Sequence, residues 1–423
     1  MFKFWLAIAI FVLTYTYIIN EKYHRTITVW VAAAIAVALG LLNQEQAIGY
    51  IDFNTILLLI GMMVIVGITR KSGVFEFLAI KAAKLVKGQP LALLVALALA
   101  MAVTSAFLDN VTAVLLIVPI TYALTDRLDI SPVPFLFTEI IASNIGGAAT
   151  LIGDPPNIMI GSATGLGFMD FLVNMAPPAI MVLLATIVCL VCIYRKDLVA
   201  EADKIERLMV LDEMEYIQEW LLLKKSLAVL ALTILGFLLH QALHLESATI
   251  ALLGAGALML ISGEEPEETL LAIEWPTIFF FGGLFVLVGS LQANGVINFV
   301  AQKMMLVTGT DVPLLGTLVL WLSALASAFV DNIPFVAAMI PLLQAAGHIG
   351  QMPMESIWWS LALGACLGGN GTLIGASANV IVAGIAERHD TPIRFLDFLK
   401  VGFPLMILSI VIANLYLYLV FWH

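Results

Sequence analysis

Apolar residues recur along this chain in runs of the length a bilayer demands, about 20 residues for a helix crossing roughly 30 Å of hydrocarbon. The runs fill 2–19, 27–42, 55–69, 134–164, 173–194, 225–240, 247–262, 273–290, 355–386 and 401–421. Two further apolar stretches, 91–125 and 313–347, are each interrupted half-way by Asp-Asn. Read as re-entrant hairpins, these leave ten crossings, so that loops alternate between the two sides. No small-residue cleavage site follows the first run, so it reads as a retained span rather than a signal peptide.

Composition agrees with the pattern. The chain of 423 residues is 62% hydrophobic and 12% charged with mean hydropathy +1.05, which excludes a soluble globular protein. A net charge of −11 with 19 Lys and Arg excludes a nucleic-acid binder. Cys189, Cys192 and Cys366 all lie in apolar runs, so helix packing is the reading for the C-x-x-C pair. With alternating loops, every Lys and Arg except Lys3 and Lys303 falls on one side. That side is therefore cytoplasmic, both termini face out, and the membrane is the inner one. Segment 197–224 reads as a helical cytoplasmic linker, its charge run a solvated face, between halves 1–196 and 225–423.

The halves repeat one another. SAFLDNVTAVLLIVP (105–119) matches SAFVDNIPFVAAMIP (327–341) at seven of fifteen positions, with an offset of 222. GGAATLIGDPPN (146–157) matches GGNGTLIGASAN (368–379) at seven of twelve with the same offset. Asp52 and Glu274, Thr55 and Thr277, Gly61 and Gly283, and Gly73 and Gly295 keep it too. Each copy holds five crossings, an odd number, so the second is inserted upside down, the arrangement of secondary transporters with a midplane site. The expected fold is an all-α polytopic membrane protein of about ten transmembrane helices plus two re-entrant hairpins, in two inverted repeats.

Four breaks in apolar helix mark the candidate site. The hairpin tips supply Asp109, Asn110 and Thr112, and Asp331 and Asn332. The glycine-rich breaks supply Gly146, Gly147, Thr150, Gly153, Asp154 and Asn157, and Gly368, Gly369, Asn370, Thr372, Gly375 and Asn379. Irregular backbone at membrane depth is tolerated only where protein buries it or where it lines a cavity. Half-helix N-termini point partial positive charge inward, and freed carbonyls and Asn or Thr oxygens can ligate cations. The glycines are read as letting backbone approach a small ligand and adopt positive φ, and Pro155 and Pro156 as opening the resumed helix. Asp109 and Asp331 suit both helix capping and an ion or proton site. Asp154, whose counterpart is Ala376, reads equally as a third cavity carboxylate or a simple cap. Glu139 is expected near the cytoplasmic mouth rather than in the site, and no Lys or Arg is expected at the membrane centre. The histidines (His24, His240, His244, His348, His389, His423) show no metal-ligand or nucleophile–base spacing, which argues against an intramembrane enzyme. No metal site or other cofactor is expected.

The paired LDN…P and GG-x-x-TLIG-x-x-x-N motifs resemble the ion transporter superfamily of elevator-type carriers. IGGAATLIGDPPNIMIG (145–161) and LALGACLGGNGTLIGASANVIVAGIAE (361–387) are most similar to its branch of arsenite/antimonite efflux permeases, melanosomal P protein and sodium/proton antiporters. The resemblance implies a fixed scaffold domain and a sliding transport domain of two hairpins and two broken helices, often within a homodimer. Related dicarboxylate carriers read Ser-Asn-Thr at the tips, where this chain has Asp109-Asn110-Val111 and Asp331-Asn332-Ile333. The added carboxylates favour proton or cation exchange. The leading expectation is proton-coupled efflux of arsenite or antimonite, a small inorganic substrate held by Asn, Thr and glycine amides without fixed positive charge. A sodium/proton antiporter and a sulfate or carboxylate carrier are the alternatives. The resemblance also implies a possible soluble ATPase subunit docking on the linker, as happens for some arsenite permeases; the chain itself carries no P-loop.

Overall fold

The computed structural model describes residues 1–19, 23–209 and 213–423, and among these every regular element is helical. The first half runs α1 (Phe2–Ile19), α2 (Arg25–Ala38), α3 (Gln44–Gly49), α4 (Phe53–Arg70), α5 (Val74–Leu85), α6 (Pro90–Phe107), α7 (Asn110–Leu128), α8 (Val133–Ala148), α9 (Pro155–Thr164) and α10 (Phe168–Tyr194). A short α11 (Ala202–Met209) and a 3-10 turn (Glu213–Tyr216) lead into the second half. There the order repeats element for element: α12 (Trp220–Leu243), α13 (Ser247–Ser262), α14 (Pro266–Leu271), α15 (Trp275–Ala293), α16 (Val296–Thr308), α17 (Val312–Phe329), α18 (Asn332–Gly350), α19 (Glu355–Gly368), α20 (Ser377–Arg388) and α21 (Phe395–Phe421).

All ten expected crossings coincide with a helix or a broken helix. Four of the nine helices long and apolar enough to cross a membrane, among the described residues, are the hairpin arms α6, α7, α17 and α18. Length alone would let each arm cross, at about 1.5 Å per residue. The tips nevertheless stop at the helix breaks. Ser105 Oγ donates to Ser143 O (2.7 Å) and Thr150 Oγ1 to Ala106 O, while Ser327 Oγ donates to Ala365 O (2.7 Å) and Thr372 Oγ1 to Ala328 O. Pro119 and Pro341 lie at matching positions inside the returning arms.

The hairpins approach from opposite sides. Helix α7 runs outward from its tip and the chain returns along α8 to the break, so both share one side. Beyond the break α9 packs along α18, and α20 along α7. Gln344 Nε2 on α18 donates to Ala163 O at the end of α9 (3.1 Å), and Tyr122 on α7 bonds Thr391 just past α20 (2.6 Å). A second body of helices pairs across the repeats, α4 on α13 and α2 on α15. Gly61 lies where a Cβ would come within 2.7 Å of Ala251 backbone, and its counterpart Gly283 within 2.9 Å of Val29. These matched glycines are helix-crossing contacts.

Two features lay outside the expectation. Helices α5 and α16, too short to cross, each follow a glycine with positive φ, Gly73 (+77°) and Gly295 (+79°), which L side chains rarely adopt. The linker, apart from 210–212, which lie outside the described residues, is docked rather than freely solvated. Gln218 N donates to Ser72 O (3.0 Å), and Lys84–Glu213 and Lys204–Asp129 form ion pairs. Each lysine holds its partner carboxyl below the usual carboxylate range by hydrogen bonding to the ionised form. Helix α12 also begins at Trp220, so the last five residues of the expected linker, Lys224 among them, belong to it.

Candidate functional site

The two tips and the two breaks converge on a small central cavity of about 10 Å³, room for one water-sized species. Three carboxylates line it, Asp109, Asp154 and Glu274, together with Arg25, Asn110, Asn332, Thr277 and Ser377. Arg25 and Ser377 also line a larger cavity of about 300 Å³ between the α1–α2 turn, the second tip and α20.

The tips cap their own helices, as their sequence suggests. Asp109 accepts from Thr112 N (2.9 Å) and from Thr112 Oγ1; Asp331 accepts from Ile333 N (3.3 Å). Asp331 does more. Its Oδ2 accepts from Arg25 and from Ser377 Oγ (2.7 Å), and Arg25 also donates to Ser377 Oγ (2.6 Å) while its guanidinium lies 5.1 Å from the Phe280 ring centroid. Tyr15 Oη on α1 donates to Pro334 O just beyond this tip. The expectation of no basic side chain at the centre is therefore overturned. Arg25 is the first residue of α2 and reads as loop charge, but α2 begins deep enough for its side chain to reach the tip.

Asp154 resolves toward the cavity. It occupies the N-cap of α9 yet makes no side-chain cap bond, and accepts instead from Asn332 Nδ2 (3.1 Å). Pro155 and Pro156 open α9 as expected. Glu139 stays outside the site, but it is fully buried on α8 with Thr121 donating to it, not at a mouth.

Apart from Asp154, the break residues named from the sequence bind the protein rather than line these two cavities. Asn157 Nδ2 donates to Thr150 O (2.8 Å), and Asn379 Nδ2 to Thr372 O (2.9 Å) and Gly369 O (2.7 Å). Thr150 and Thr372 spend their hydroxyls on the hairpins. The six glycines have negative φ, against expectation. Their missing Cβ admits backbone: at Gly146 it would lie 2.2 Å from Ala102 O, and at Gly368 2.6 Å from Ala324 Cα. Gly153 and Gly375 would each bring it 2.7 Å from the carbonyl of the opposing glycine, Gly147 or Gly369. The space read as room for a ligand is filled by chain, because irregular backbone must close on itself to satisfy its polar groups.

Five polar partners were missed: Asn144, Cys366, Glu274, Arg25 and Ser377. Asn144 Nδ2 donates to Asn370 Oδ1 (2.9 Å) and Asn379 Oδ1 (3.0 Å), and its Oδ1 accepts from Asn110 (3.3 Å), tying both tips' surroundings together at full burial. Its counterpart Cys366 donates to Asn157 Oδ1 (3.5 Å). Glu274 carried a signal, its match with Asp52; Arg25 and Ser377 carried none in local spacing.

Hairpin tips meeting at a carboxylate-lined cavity, with a broken helix behind each, define a membrane transporter. The chain belongs to the CitMHS family, described as citrate transporter, whose profile matches residues 15–364. It is 44% identical over 420 residues to an uncharacterised transporter of Mycobacterium tuberculosis, covering 98% of this chain and 97% of that one. It is 35% identical to the human P protein, covering 97% of this chain and 59% of that protein, so the kinship read from the motif strings holds there. The Alcanivorax borkumensis YdaH transporter shares the fold, with TM-score 0.58 at 16% identity over 93% of this chain and 96% of that one.

Proposed function

We propose that this protein is a secondary carrier of a small carboxylate anion, moved together with a coupling cation. Arg25 carries the reading. Its guanidinium presents fork-like donors at the junction of the two cavities, where an anion entering the larger one would meet it together with the N-terminus of α20. Four carboxylates, Asp109, Asp154, Glu274 and Asp331, surround Arg25. All ionised, they would repel an anion. Binding therefore requires protons or sodium ions on the carboxylates at the same time, which couples the two in one direction. The arsenite reading rested on a pocket without fixed positive charge, and Arg25 removes that premise. The hairpins and broken helices, with α10 and α21, form the moving body; α1, α2, α4, α12, α13 and α15 form the scaffold along which it slides.

The test is citrate uptake into proteoliposomes under imposed proton or sodium gradients. Arg25→Ala should lower gradient-driven uptake ~100-fold, in keeping with loss of one partner of a part-buried, hydrogen-bonded charge pair, and Arg25→Lys should retain part of it. Undiminished citrate flux in Arg25→Ala, or arsenite flux with no citrate movement, would sink the anion reading.

A further inference from the structure

The repeat offset pairs the scaffold's two ends. Glu274 and Asp52 occupy the N-cap positions of α15 and α4, and Arg25 and Ser247 are the first residues of α2 and α13. In this structure only one member of each pair lies at the tips: Glu274 and Arg25 line the central cavity. Asp52 sits farther along the carrier. It accepts from Ser162 Oγ (2.9 Å), eight residues past Asp154 on α9, a rise of about 12 Å. A second measure agrees. The central cavity touches α4 at Leu59 and Met63, seven and eleven residues beyond Asp52, about 10–16 Å along the helix.

We propose that Asp52 and Ser247 form a second station for the same site, reached when the carrier slides by roughly 12 Å. This rests on the sliding carrier of the preceding reading. At the second station the repeats exchange roles: Asp52 takes the place of Glu274 beside the coupling cation, and Ser247 meets Asp109 as Arg25 now meets Asp331. The exchange is not neutral. Arginine is replaced by serine, and no Lys or Arg lines the cavities around Asp52 and Ser247 among the described residues. The anion is gripped by a fixed cation at the Arg25 end and released from a site without one at the Ser247 end. Ser247 is thus the residue that sets the difference in anion affinity between the two faces of the membrane.

Paired cysteines test this in a chain carrying Cys189→Ser, Cys192→Ser and Cys366→Ala, with mercury as the bridging probe and gel mobility as readout. Arg25→Cys with Asp331→Cys should bridge, trapping the state described. Ser247→Cys with Asp109→Cys should bridge as well, in the same membranes. Bridging of the first pair without the second, with and without a gradient, overturns the second station. Asn54→Cys with Ser162→Cys, a scaffold–carrier contact (3.3 Å), separates the two readings. Its bridge should block citrate transport until excess dithiol strips off the mercury; transport through the bridged protein would instead overturn the sliding carrier. Ser247→Arg gives an independent readout, raising the apparent affinity for citrate on that face about tenfold through a new charge-assisted contact. An unchanged affinity counts against Ser247 as the determinant.

Discussion

The two hairpin tips carry the same Asp-Asn at the same offset, yet they are held differently. Asp109 closes on Thr112 of its own helix, whereas Asp331 reaches Arg25 and Ser377, and Tyr15 bonds the chain just beyond it. At the position of Thr112 the second tip has Pro334, which offers no hydroxyl. One tip satisfies itself and the other is held by the scaffold. A repeated motif thus fixes where a carboxylate stands but not what it binds. The same asymmetry runs through the core, where Asn144 ties three asparagines together while its counterpart Cys366 offers only a weak thiol donor, which reaches Asn157.

Substitutions at matched positions would sharpen or break this comparison. The largest difference is expected between Asn144→Ala and Cys366→Ala. The first strands the oxygens of Asn370 and Asn379 in a fully buried core and should cost about 2–4 kcal/mol. The second loses a weak donor and should cost about 1 kcal/mol. Thermal unfolding in detergent reads both, and equal losses would mean the network is no more than packing. Next come Gly146→Ala and Gly368→Ala, where the new methyl meets hairpin backbone in both halves. Each should destabilise by about 1–3 kcal/mol. Here the two halves should agree, because the close approach is a property of the repeat itself; a cost in one half alone would show that the breaks are not equivalent. The smallest effect is expected from Thr112→Val, about 1 kcal/mol, since the backbone cap from Thr112 N survives. A loss as large as that of Asn144→Ala would mean that the first tip depends on its hydroxyl in a way the second tip does not.

Much of this was legible beforehand because it is local. Ten apolar runs, two Asp-Asn interruptions and two Gly-Gly breaks each correspond to an element, since span length, capping and helix interruption depend on neighbours within a few residues. The glycines were found but misassigned. Sequence shows that a Cβ is missing, not whether ligand or backbone fills the space. Helices α5 and α16 escaped notice because twelve or thirteen residues fall short of a crossing.

The sequence by itself determined the membrane class, the repeat and the positions of the tip carboxylates, all consequences of composition and spacing along the chain. The tertiary structure alone decided their partners. Arg25 and Asp331 are 306 residues apart, and Asn144 and Asn379 are 235 apart. Such pairings depend on how far each helix is seated against another, a quantity set by packing over whole helix faces that no local pattern encodes.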